Sequence, residues 1–563
     1  MVRGRRYFIS KLCVVAIGTM VMPWAFAEEV VVEYEVPSPS GGAGYPVVPP
    51  QTGTATVDVD LSDLPEAPQV SSGAESPGPA TPAASLTITA MAQLPTLDGA
   101  EHKPPDTHIA VGTGVGAAGR VVEVTNTGID IWDKTGSSVV TADDLDAFVT
   151  ALGGTIVSGG FDPKVIFDQH SGRFFIIILD GKTAAASVVH ICTSKDSVPS
   201  TITSTEWTVE SASAVTSFVG GSSWFDYPGI GVDSTRLVVT GNMFTTGGTF
   251  VGQKIRVFLK SSLTDNGTPA GETFNDIDTD DTVTAGIGTV QPAHVFGSTL
   301  NGDFYLVNRF GSTLYRLWQV TGAGGSASLV TSSPSLHGWT AGASLGAGAP
   351  QTNDGSNDEP TIATLSPRIQ NAVYRDDGGN TDSIWLCLSS DIDSDSQTEV
   401  VWFEIDPNST NSAVAGTQTT PTTNDSGSID GTTAGDWAYM PAISVNGSGD
   451  ACINFCQSSS STAVSMRVAT RHSSDPAGTF QTPVLIATGA GEYDDFFTVS
   501  TERWGDYSAT VVDPDDDETF WVANEICETA ATGAGDDAVW GTRIAEMGSV
   551  IAVPVELSTF GVE

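Results

Sequence analysis

Basic residues are scarce in this sequence of 563 residues. It holds 23 Lys and Arg residues against 67 Asp and Glu residues, which gives a formal net charge of −44 at pH 7. A surface of this sign repels phosphate groups, so the composition argues against binding to DNA, RNA or anionic lipid. The acidity is instead compatible with solubility in salty water or with the binding of divalent cations.

Histidine and cysteine are also rare, with 7 and 6 residues. The sequence contains no HExxH or HxH pair, no Gly-x-Ser-x-Gly elbow, no phosphate-binding loop and no Cys/His spacing of a zinc site. Five cysteines follow residue 27, and most lie in apolar, strand-like runs. The odd number leaves at least one without a partner in the chain. We expect buried thiols with one or two disulfides.

The N-terminus has the features of a secretory signal peptide. Basic residues at its start precede the apolar run Leu12–Met22, and Ala25-Phe26-Ala27 is a small-x-small cleavage site. The run is too short to cross a membrane, and no later run reaches that length. Residues 1–27 therefore predict a secreted, cell-surface or periplasmic protein without a transmembrane segment.

Composition changes twice after the leader. Residues 28–84 are rich in Pro, Ser, Gly and acidic residues, which predicts a disordered linker. From residue 85 to 563, short Val/Ile/Phe/Trp-rich runs alternate with Gly/Ser/Thr/Asp loops, and helical periodicity is almost absent. This second region is typical of an all-β domain.

A repeat organises the all-β region. Its first strand recurs in seven segments, namely PDTHIAVG (105–112), FDPKVIFD (161–168), DYPGIGVD (226–233), VQPAHVFG (290–297), DEPTIATL (358–365), YMPAISVN (439–446) and DYSATVVD (506–513). Two further strands, and a weaker fourth, follow in most units. The pattern predicts a monomeric seven-bladed β-propeller of four-stranded antiparallel blades, with a β-solenoid or two stacked sandwiches as the alternative.

Two details of the repeat lead to specific expectations. Proline recurs in the first strand, and because proline is tolerated at the first residue of a strand, we expect it to mark where each innermost strand begins. The residues just before it would then lie at one mouth of a central channel. The run SLTITAMAQL (85–94) is a candidate for the strand that closes the ring.

Several of these motifs resemble a group of secreted bacterial sialidase-like propeller proteins, mostly of unproven activity. The resemblance rests on FDPKVIFDQHSGRFF, WFDYPGIGVD and RWGDYSATVVDP, and SSDPAGTF (473–480) is similar to the Asp-box hairpin of sialidases. It implies a propeller with glycan-directed chemistry. A sialidase also requires an arginine triad, and no three arginines occupy matching positions here, so no catalytic residue is transferred from that family.

The predicted channel mouth supplies the first set of candidate site residues. The ligand-binding candidates there are Asp106, Asp162, Asp226, Tyr227, Asp358, Glu359 and Arg503. Crowded carboxylates raise some pKa values or recruit a cation, so this set predicts a cation-assisted or aromatic-lined ligand site. In the structural alternative, each Asp accepts backbone N–H bonds from its own turn.

Polar residues at the end of the second strand of each repeat add further candidates. Arg309 and Asn524 are expected to face the same mouth, with Arg309 available for a ligand carboxylate. Asp506, Tyr507 and Glu525 are the catalytic candidates if the protein is an enzyme. The alternative is a structural polar network between blades.

Two acidic loops resemble the start of a calcium-binding loop. They contain Asp276, Asp278 and Asp280 in one case and Asp391, Asp393 and Asp395 in the other. Neither loop has the glycine and glutamate that complete an EF-hand, so the alternative is a pair of solvated turns. Ca²⁺ is the only cofactor that the sequence suggests.

Three functions follow from these patterns. The first is a binding module for a glycan or a surface protein at the channel mouth. The second is a glycoside hydrolase or polysaccharide lyase that uses the mouth carboxylates. The third is a structural component of a surface layer.

Overall fold

The structure is a computed structural model, and the part of the chain described here comprises a set of ranges separated by gaps. These are residues 31–32, 55–56, 81–92, 104–183, 186–213, 217–218, 221–264, 274–278, 287–299, 302–310, 314–331, 335–336, 348–353, 360–376, 382–393, 395–407, 421–433, 435–494, 501–531 and 538–548. The predicted signal peptide and most of the predicted linker lie outside them.

The chain divides into two compact units, Met1–Ser76 and Pro77–Glu563. In the first unit, β1 (Val31–Val32) pairs with β2 (Ala55–Thr56) in an antiparallel arrangement. The second unit begins with β3 (Ala84–Ala92) and is nearly all β. No helix in the described ranges combines the length and apolar character needed to cross a membrane.

Four-stranded antiparallel sheets dominate the second unit, as the repeat predicts. The first sheet contains β4 (His108–Val111), β5 (Val121–Val124), β6 (Ile129–Trp132) and β7 (Ser138–Asp143). The second contains β8 (Gly160–Asp168), β9 (Arg173–Thr183), β10 (Ala186–Ser194) and β11 (Trp207–Ser213). A short 3₁₀ helix, Gly116–Ala118, connects β4 to β5, and helix α1, Leu145–Ala151, lies between the two sheets in the chain.

The middle of the chain departs from four strands per sheet. The third sheet has five strands, β12 (Ser217–Phe218), β13 (Gly221–Val232), β14 (Arg236–Thr245), β15 (Phe250–Leu259) and β16 (Phe274–Asp278), with helix α2 (Lys260–Thr264) after β15. The next group contains β17 (Ile287–Phe296), β18 (Phe304–Phe310), β19 (Leu314–Thr321), β20 (Ser328–Thr331) and β21 (Ser335–Leu336), and a 3₁₀ helix at Gly324–Ser326. Both β20 and β21 pair with β19.

The remaining strands complete the domain. After β22 (Thr361–Ile362) come β23 (Asn371–Arg375), β24 (Ser383–Ser390), β25 (Glu399–Asp406) and β26 (Thr422–Ile429). They are followed by β27 (Trp437–Val445), β28 (Ala451–Ser459), β29 (Thr462–Arg471) and β30 (Val484–Ala487). The last are β31 (Thr501–Glu502), β32 (Ala509–Val512), β33 (Phe520–Thr529) and β34 (Val539–Met547). The short strands β22 and β31 pair with each other in parallel.

The first strands of the sheets pack against one another in chain order. They are β4, β8, β13, β17, β23, β27 and β32, and contacts between β32 and β4 close the series. Strands β17 and β23 also pair directly in parallel, which joins their two groups into one nine-stranded sheet. Residues at or near the starts of β4, β8 and β32 lie close together, and the last residues of β4, β8, β17 and β32 line one pocket, so we name these two places the two ends of the predicted channel.

The last sheet is completed by a strand from the start of the unit. Strand β3 pairs antiparallel with β34, for example Ile88 with Ile544, which confirms the closing role predicted for residues 85–94. The backbone N–H of Met91 also donates to the Glu123 carboxylate of the first sheet, and Thr542 donates to the Met91 carbonyl. Strand β3 is therefore fixed to both the last and the first sheet.

In β8, β13, β17 and β27 the recurring proline lies within the first strand and not at its first residue, which corrects the prediction. In three sheets it is the second residue of a β-bulge, in the pairs Asp162–Pro163, Tyr227–Pro228 and Met440–Pro441. The first residue of each pair has a left-handed backbone, with φ of 48°, 50° and 52°. A bulge leaves a backbone position unpaired, so proline, which lacks an N–H, costs no ladder hydrogen bond there. The predicted first strand at residues 358–365 was also wrong, because its described part forms only the short β22, and β23 occupies that place in the series.

Apolar side chains fill the spaces between neighbouring sheets. Phe161 and Phe175 of the second sheet pack with Phe225 and Val239 of the third in one such cluster. The five cysteines Cys192, Cys387, Cys452, Cys456 and Cys527 are all free and buried. The predicted disulfides are therefore absent, and the cysteines act as small apolar core residues, because burial raises the pKa of the Cys192 thiol and keeps it neutral.

The closing strand makes a stability prediction. The Ile88 side chain is only 4% exposed, whereas its neighbour Thr87 is exposed. We expect Ile88→Ala to lower the free energy of unfolding in urea by about 2–5 kcal/mol, because it leaves a cavity beneath β3. The matched control Thr87→Ala should change it by less than about 0.5 kcal/mol. Equal effects of the two substitutions would show that β3 does not close the domain.

Candidate functional site

Three aspartates meet at the channel end where the first strands begin. Asp106 precedes β4, Asp162 lies in the bulge of β8, and Asp506 precedes β32, so they come from the first, second and last sheets. One carboxylate oxygen from each lies within 4.8 Å of the others. The residues are 1%, 7% and 8% exposed. We call these three residues the acid cluster.

Hydrogen bonds between sheets hold the acid cluster in place. The Asp106 carboxylate accepts from the backbone N–H of Asp506 at 2.7 Å and from Asn126 Nδ2 at 2.8 Å. Asn126 Oδ1 in turn accepts from the Asp162 N–H at 2.7 Å, and the Asp162 carboxylate accepts from the Tyr227 N–H at 3.0 Å. Asp106 and Asp162 therefore each accept a backbone N–H from a neighbouring sheet, whereas the structural alternative expected bonds within their own turns.

Burial and mutual repulsion change the protonation of the acid cluster. Burial, followed by the charges of Asp506 and Asp162, raises the pKa of Asp106 well above its ordinary value. Burial and the nearby Asp226 carboxylate raise the pKa of Asp162 to about 8. Burial also raises the pKa of the half-buried Asp226. Near neutral pH the Asp162 carboxyl group therefore largely retains its proton and can donate as well as accept hydrogen bonds.

Two cations lie on either side of the acid cluster. Arg503 Nη2 is 2.9 Å from both carboxylate oxygens of Asp506, and its side chain is 53% exposed. The Asp506 charge raises the pKa of Arg503 further above its ordinary value. Lys164 is buried, and burial lowers its pKa to about 8 although all three aspartates oppose this shift. The protein thus supplies its own positive charge to this group of acids.

Two tyrosines form the wall between the sheets. Tyr227 and Tyr507 are 2% and 1% exposed, and their rings meet edge to face at a centroid distance of 6.0 Å. The Tyr227 hydroxyl donates to the Asp506 carbonyl at 2.8 Å, and the Tyr507 hydroxyl donates to the Pro163 carbonyl at 3.0 Å. Burial raises the pKa of both phenols. Both hydroxyls therefore serve as neutral structural donors.

The candidates on the second strand of the last sheet are also interior. Glu525 is 1% exposed, its Oε1 accepts from the Thr107 N–H at 3.2 Å, and burial raises its pKa well above the ordinary value. Asn524 Nδ2 donates to Asn454 Oδ1 at 2.7 Å and to the Met440 carbonyl at 3.2 Å. Both residues belong to the polar network between sheets that the sequence left as an alternative.

Other predicted site residues lie apart or are not described. Arg309 Nη1 donates to the Pro367 carbonyl at 2.9 Å, and burial lowers the pKa of Arg309. Asp358, Glu359 and Asp280 lie outside the described residues. The backbone of Asp276 and Asp278 forms part of β16, and their side chains lie outside the description.

A second acidic cluster forms in the loop between β24 and β25. One oxygen each from Asp391, Asp393, Asp395 and Glu399 lies within 4.8 Å of the others. Glu399 was not predicted, although it follows the Asp-x-Asp-x-Asp run by four residues in the sequence. Burial, with further contributions from the three aspartates, raises the pKa of Glu399 to about 8. Four carboxyl groups at this separation are suitable oxygen ligands for a hard cation.

The sequence also missed residues of the channel-mouth network. Lys164 stands in FDPKVIFD as the one basic residue of a mostly apolar strand, and Asn126 lies in an ordinary turn between β5 and β6. Lysine is almost never fully buried unless it is paired, so a lysine in a strand that is otherwise apolar indicates a buried partner charge. No comparable signal marks Asn126, because its role depends on the position of the second sheet.

Comparisons with known proteins show distant similarity only. No protein-family model matches the chain, and no curated protein matches it. Among solved structures, a Dyadobacter fermentans protein of unknown function has a TM-score of 0.35 and 10% identity, and covers 69% of this chain and 97% of its own. A Fusarium graminearum α-L-arabinofuranosidase has a TM-score of 0.34 and 9% identity, with coverages of 82% and 97%.

A Trypanosoma rangeli sialidase is also similar, with a TM-score of 0.33 and 8% identity. The match covers 75% of this chain and 56% of the sialidase, so the chain spans little more than half of that protein's length. These scores and identities are too low to support a statement about family, ligand or activity. The sialidase-like resemblance of the motifs therefore stays a prediction.

The protonation of Asp162 gives a pH prediction. Its folded pKa is raised to about 8, so the folded state binds its proton more tightly than the unfolded state. The stability contributed by this proton is complete at low pH and is lost as the pH rises towards 8. We expect the urea midpoint to fall between about pH 5 and 8, and Asp162→Asn to make that fall shallower while keeping an acceptor for the Tyr227 N–H.

The control for this experiment is Asp196→Asn, which changes an exposed aspartate in the second sheet. It should leave the slope of the urea midpoint against pH unchanged. An Asp162→Asn slope that matches the original protein would contradict the protonation assigned to the acid cluster.

Proposed function

We propose that the chain is an exported seven-bladed β-propeller that binds a glycan at the channel end where the first strands begin. The closed series of contacts among seven first strands supports the blade number. The pairing of β3 with β34 supports closure of the ring. The leader of residues 1–27 supports export. Neighbouring blades cover the inner edge of each sheet, which limits pairing with another chain and is consistent with a monomer.

The observation that carries the binding proposal is the half-exposed Arg503 side chain, which is paired with Asp506 next to the buried carboxyl groups of Asp106 and Asp162. Its guanidinium is fixed by Asp506 at 2.9 Å while about half of the side chain faces solvent. Half-buried Asp226 lies in the same electrostatic group, since Arg503 and Asp506 both affect its pKa. A planar donor beside a carboxyl group that can donate or accept matches the paired hydroxyls of a sugar ring.

The interior position of the catalytic candidates favours binding over turnover. A glycosidase needs two carboxyl groups that flank the scissile bond. Tyr507 and Glu525 are both about 1% exposed and bonded to backbone atoms, and burial keeps them neutral. These two side chains could contact a substrate only if the inner strands moved apart.

Glycoside hydrolysis or lyase chemistry is the second candidate. The pKa of Asp162, raised to about 8, favours it, because a carboxyl group that keeps a proton near pH 7 can act as a general acid. Release of sugar from polysaccharides that is lost in Asp506→Asn and Glu525→Gln would establish this activity and replace the binding proposal. A surface-layer component is the third candidate, and large assemblies in light scattering would favour it.

The binding proposal predicts a strong effect of Arg503. A glycan array should identify an oligosaccharide, and titration calorimetry should show that Arg503→Ala weakens its binding at least about tenfold, because a charged hydrogen-bond donor is lost. The affinity of Arg503→Lys should lie between that of the original protein and that of Arg503→Ala, since lysine keeps the charge without the planar donor. Lys195→Ala, which removes a charge in the second sheet, is the control. The proposal fails if the array shows no binding or if Arg503→Ala binds normally.

We also propose that the second acidic cluster binds Ca²⁺. The separation of its four carboxyl groups within 4.8 Å supports this proposal. Calcium at about one hundred times its dissociation constant should stabilise the fold by about 2.7 kcal/mol, which a thermal melt detects as a higher Tm. A chelator should reverse the shift, and Glu399→Gln should abolish it.

Glu210→Gln is the control for the calcium experiment, because Glu210 is a partly buried glutamate in a different sheet. It should keep the full calcium-dependent rise in Tm. If calcium leaves the Tm of the original protein unchanged, the loop between β24 and β25 is a solvated turn.

A further inference from the structure

A pocket of about 310 Å³ opens at the channel end opposite the acid cluster. Its walls come from the last residues of first strands, including Val111 of β4, Phe167 of β8, Phe296 of β17 and Val511 of β32. Its volume falls at the small end of the range of small-molecule sites, roughly 300–1,000 Å³. We call it the far-end pocket.

Apolar and aromatic surface makes up most of the wall. The Phe167 ring is buried against Phe174 at a centroid distance of 4.9 Å, and the His294 ring meets Phe296 edge to face at 4.8 Å. These contacts fix the ring positions, so the pocket is formed before any ligand arrives. A preformed apolar wall favours a ring-shaped or branched apolar body.

The charged groups at the pocket's rim are mostly acidic, and both nearby cations are engaged within the protein. Lys134 Nζ pairs with Asp513 at 2.7 Å and with Asp515 at 2.8 Å, and Arg375 forms an ion pair with Asp517. The Asp376 carboxylate accepts from Ser298 Oγ at 2.7 Å. An anionic ligand would leave water without gaining an unpaired positive charge, so the rim disfavours an anion.

Two polar atoms of the wall remain without hydrogen-bond partners among the described residues. They are Gln169 Oε1 and His294 Nδ1, and both atoms are buried. Gln169 lines the pocket, and its Nε2 donates to the Val295 carbonyl at 2.6 Å, so Oε1 is the atom of this amide that has no partner. Burial lowers the pKa of His294 to about 3, so the imidazole is neutral. A buried acceptor without a donor is costly unless a ligand or water satisfies it.

We propose that the far-end pocket binds an uncharged, ring-sized molecule that carries an O–H or N–H donor for Gln169 Oε1. This is a second site, at the other end of the channel from Arg503, and it does not depend on glycan binding. The apolar walls contact the ring, and Gln169 with the neutral His294 supplies the polar recognition.

The probe is 4-fluorophenol, observed by ¹⁹F NMR titration against the full chain, with fluorobenzene as the matched compound without a donor. We expect 4-fluorophenol to bind with a dissociation constant of about 1 mM or below. Val511 is half-buried in the pocket wall, and Val511→Phe adds a ring that fills the pocket. This substitution should weaken binding at least about tenfold. Gln169→Leu should weaken the binding of 4-fluorophenol about three- to tenfold and leave the binding of fluorobenzene unchanged.

Val157→Phe is the size-matched control, because Val157 is 45% exposed in the segment before β8. It should bind both probes normally. Thermal melts will show whether Val511→Phe stays folded, and Gln169→Leu tests the proposal if it does not. The proposal is overturned if 4-fluorophenol does not bind, if Gln169→Leu weakens both probes equally, or if a folded Val511→Phe binds normally.

Discussion

The contact between the two ends of the folded domain is the constraint on which the other features depend. Strand β3 pairs with β34 across more than four hundred residues of chain, and the Asp506 N–H donates to Asp106 at 2.7 Å. Closing so long a loop has an entropic cost, which the strand pairing and the hydrogen bonds between the two ends offset. The closing strand and the acid cluster both join the two ends of the domain.

This closure explains why so many acidic groups can be buried at one channel end. Each aspartate of the acid cluster accepts a hydrogen bond from the protein, and Lys164 and Arg503 lie beside the cluster. Unpaired charges at this depth would be prohibitively costly. The acid cluster and the mainly apolar far-end pocket are therefore chemically different regions of the inner strands.

The outcomes of the sequence predictions differ between local and distant features. The repeat identified the four-stranded sheets, and residues 85–94 were correctly taken as the closing strand. The recurring proline was placed at the strand start, whereas it lies in a bulge, because both positions lack a ladder N–H and look alike in sequence. Glu399 was missed because its approach to Asp391 depends on the turn between two strands.

The sequence alone determined the strand-rich composition, the period of the sheets and the acidic character of the protein, because these follow from residue types and spacing. Only the tertiary structure decided that the carboxyl groups of Asp106, Asp162 and Asp506 meet while Tyr507 and Glu525 lie in the interior. It also decided that Gln169 and His294 face one pocket. The physical reason is that pKa, exposure and pocket geometry depend on distances between sheets, which no local pattern encodes.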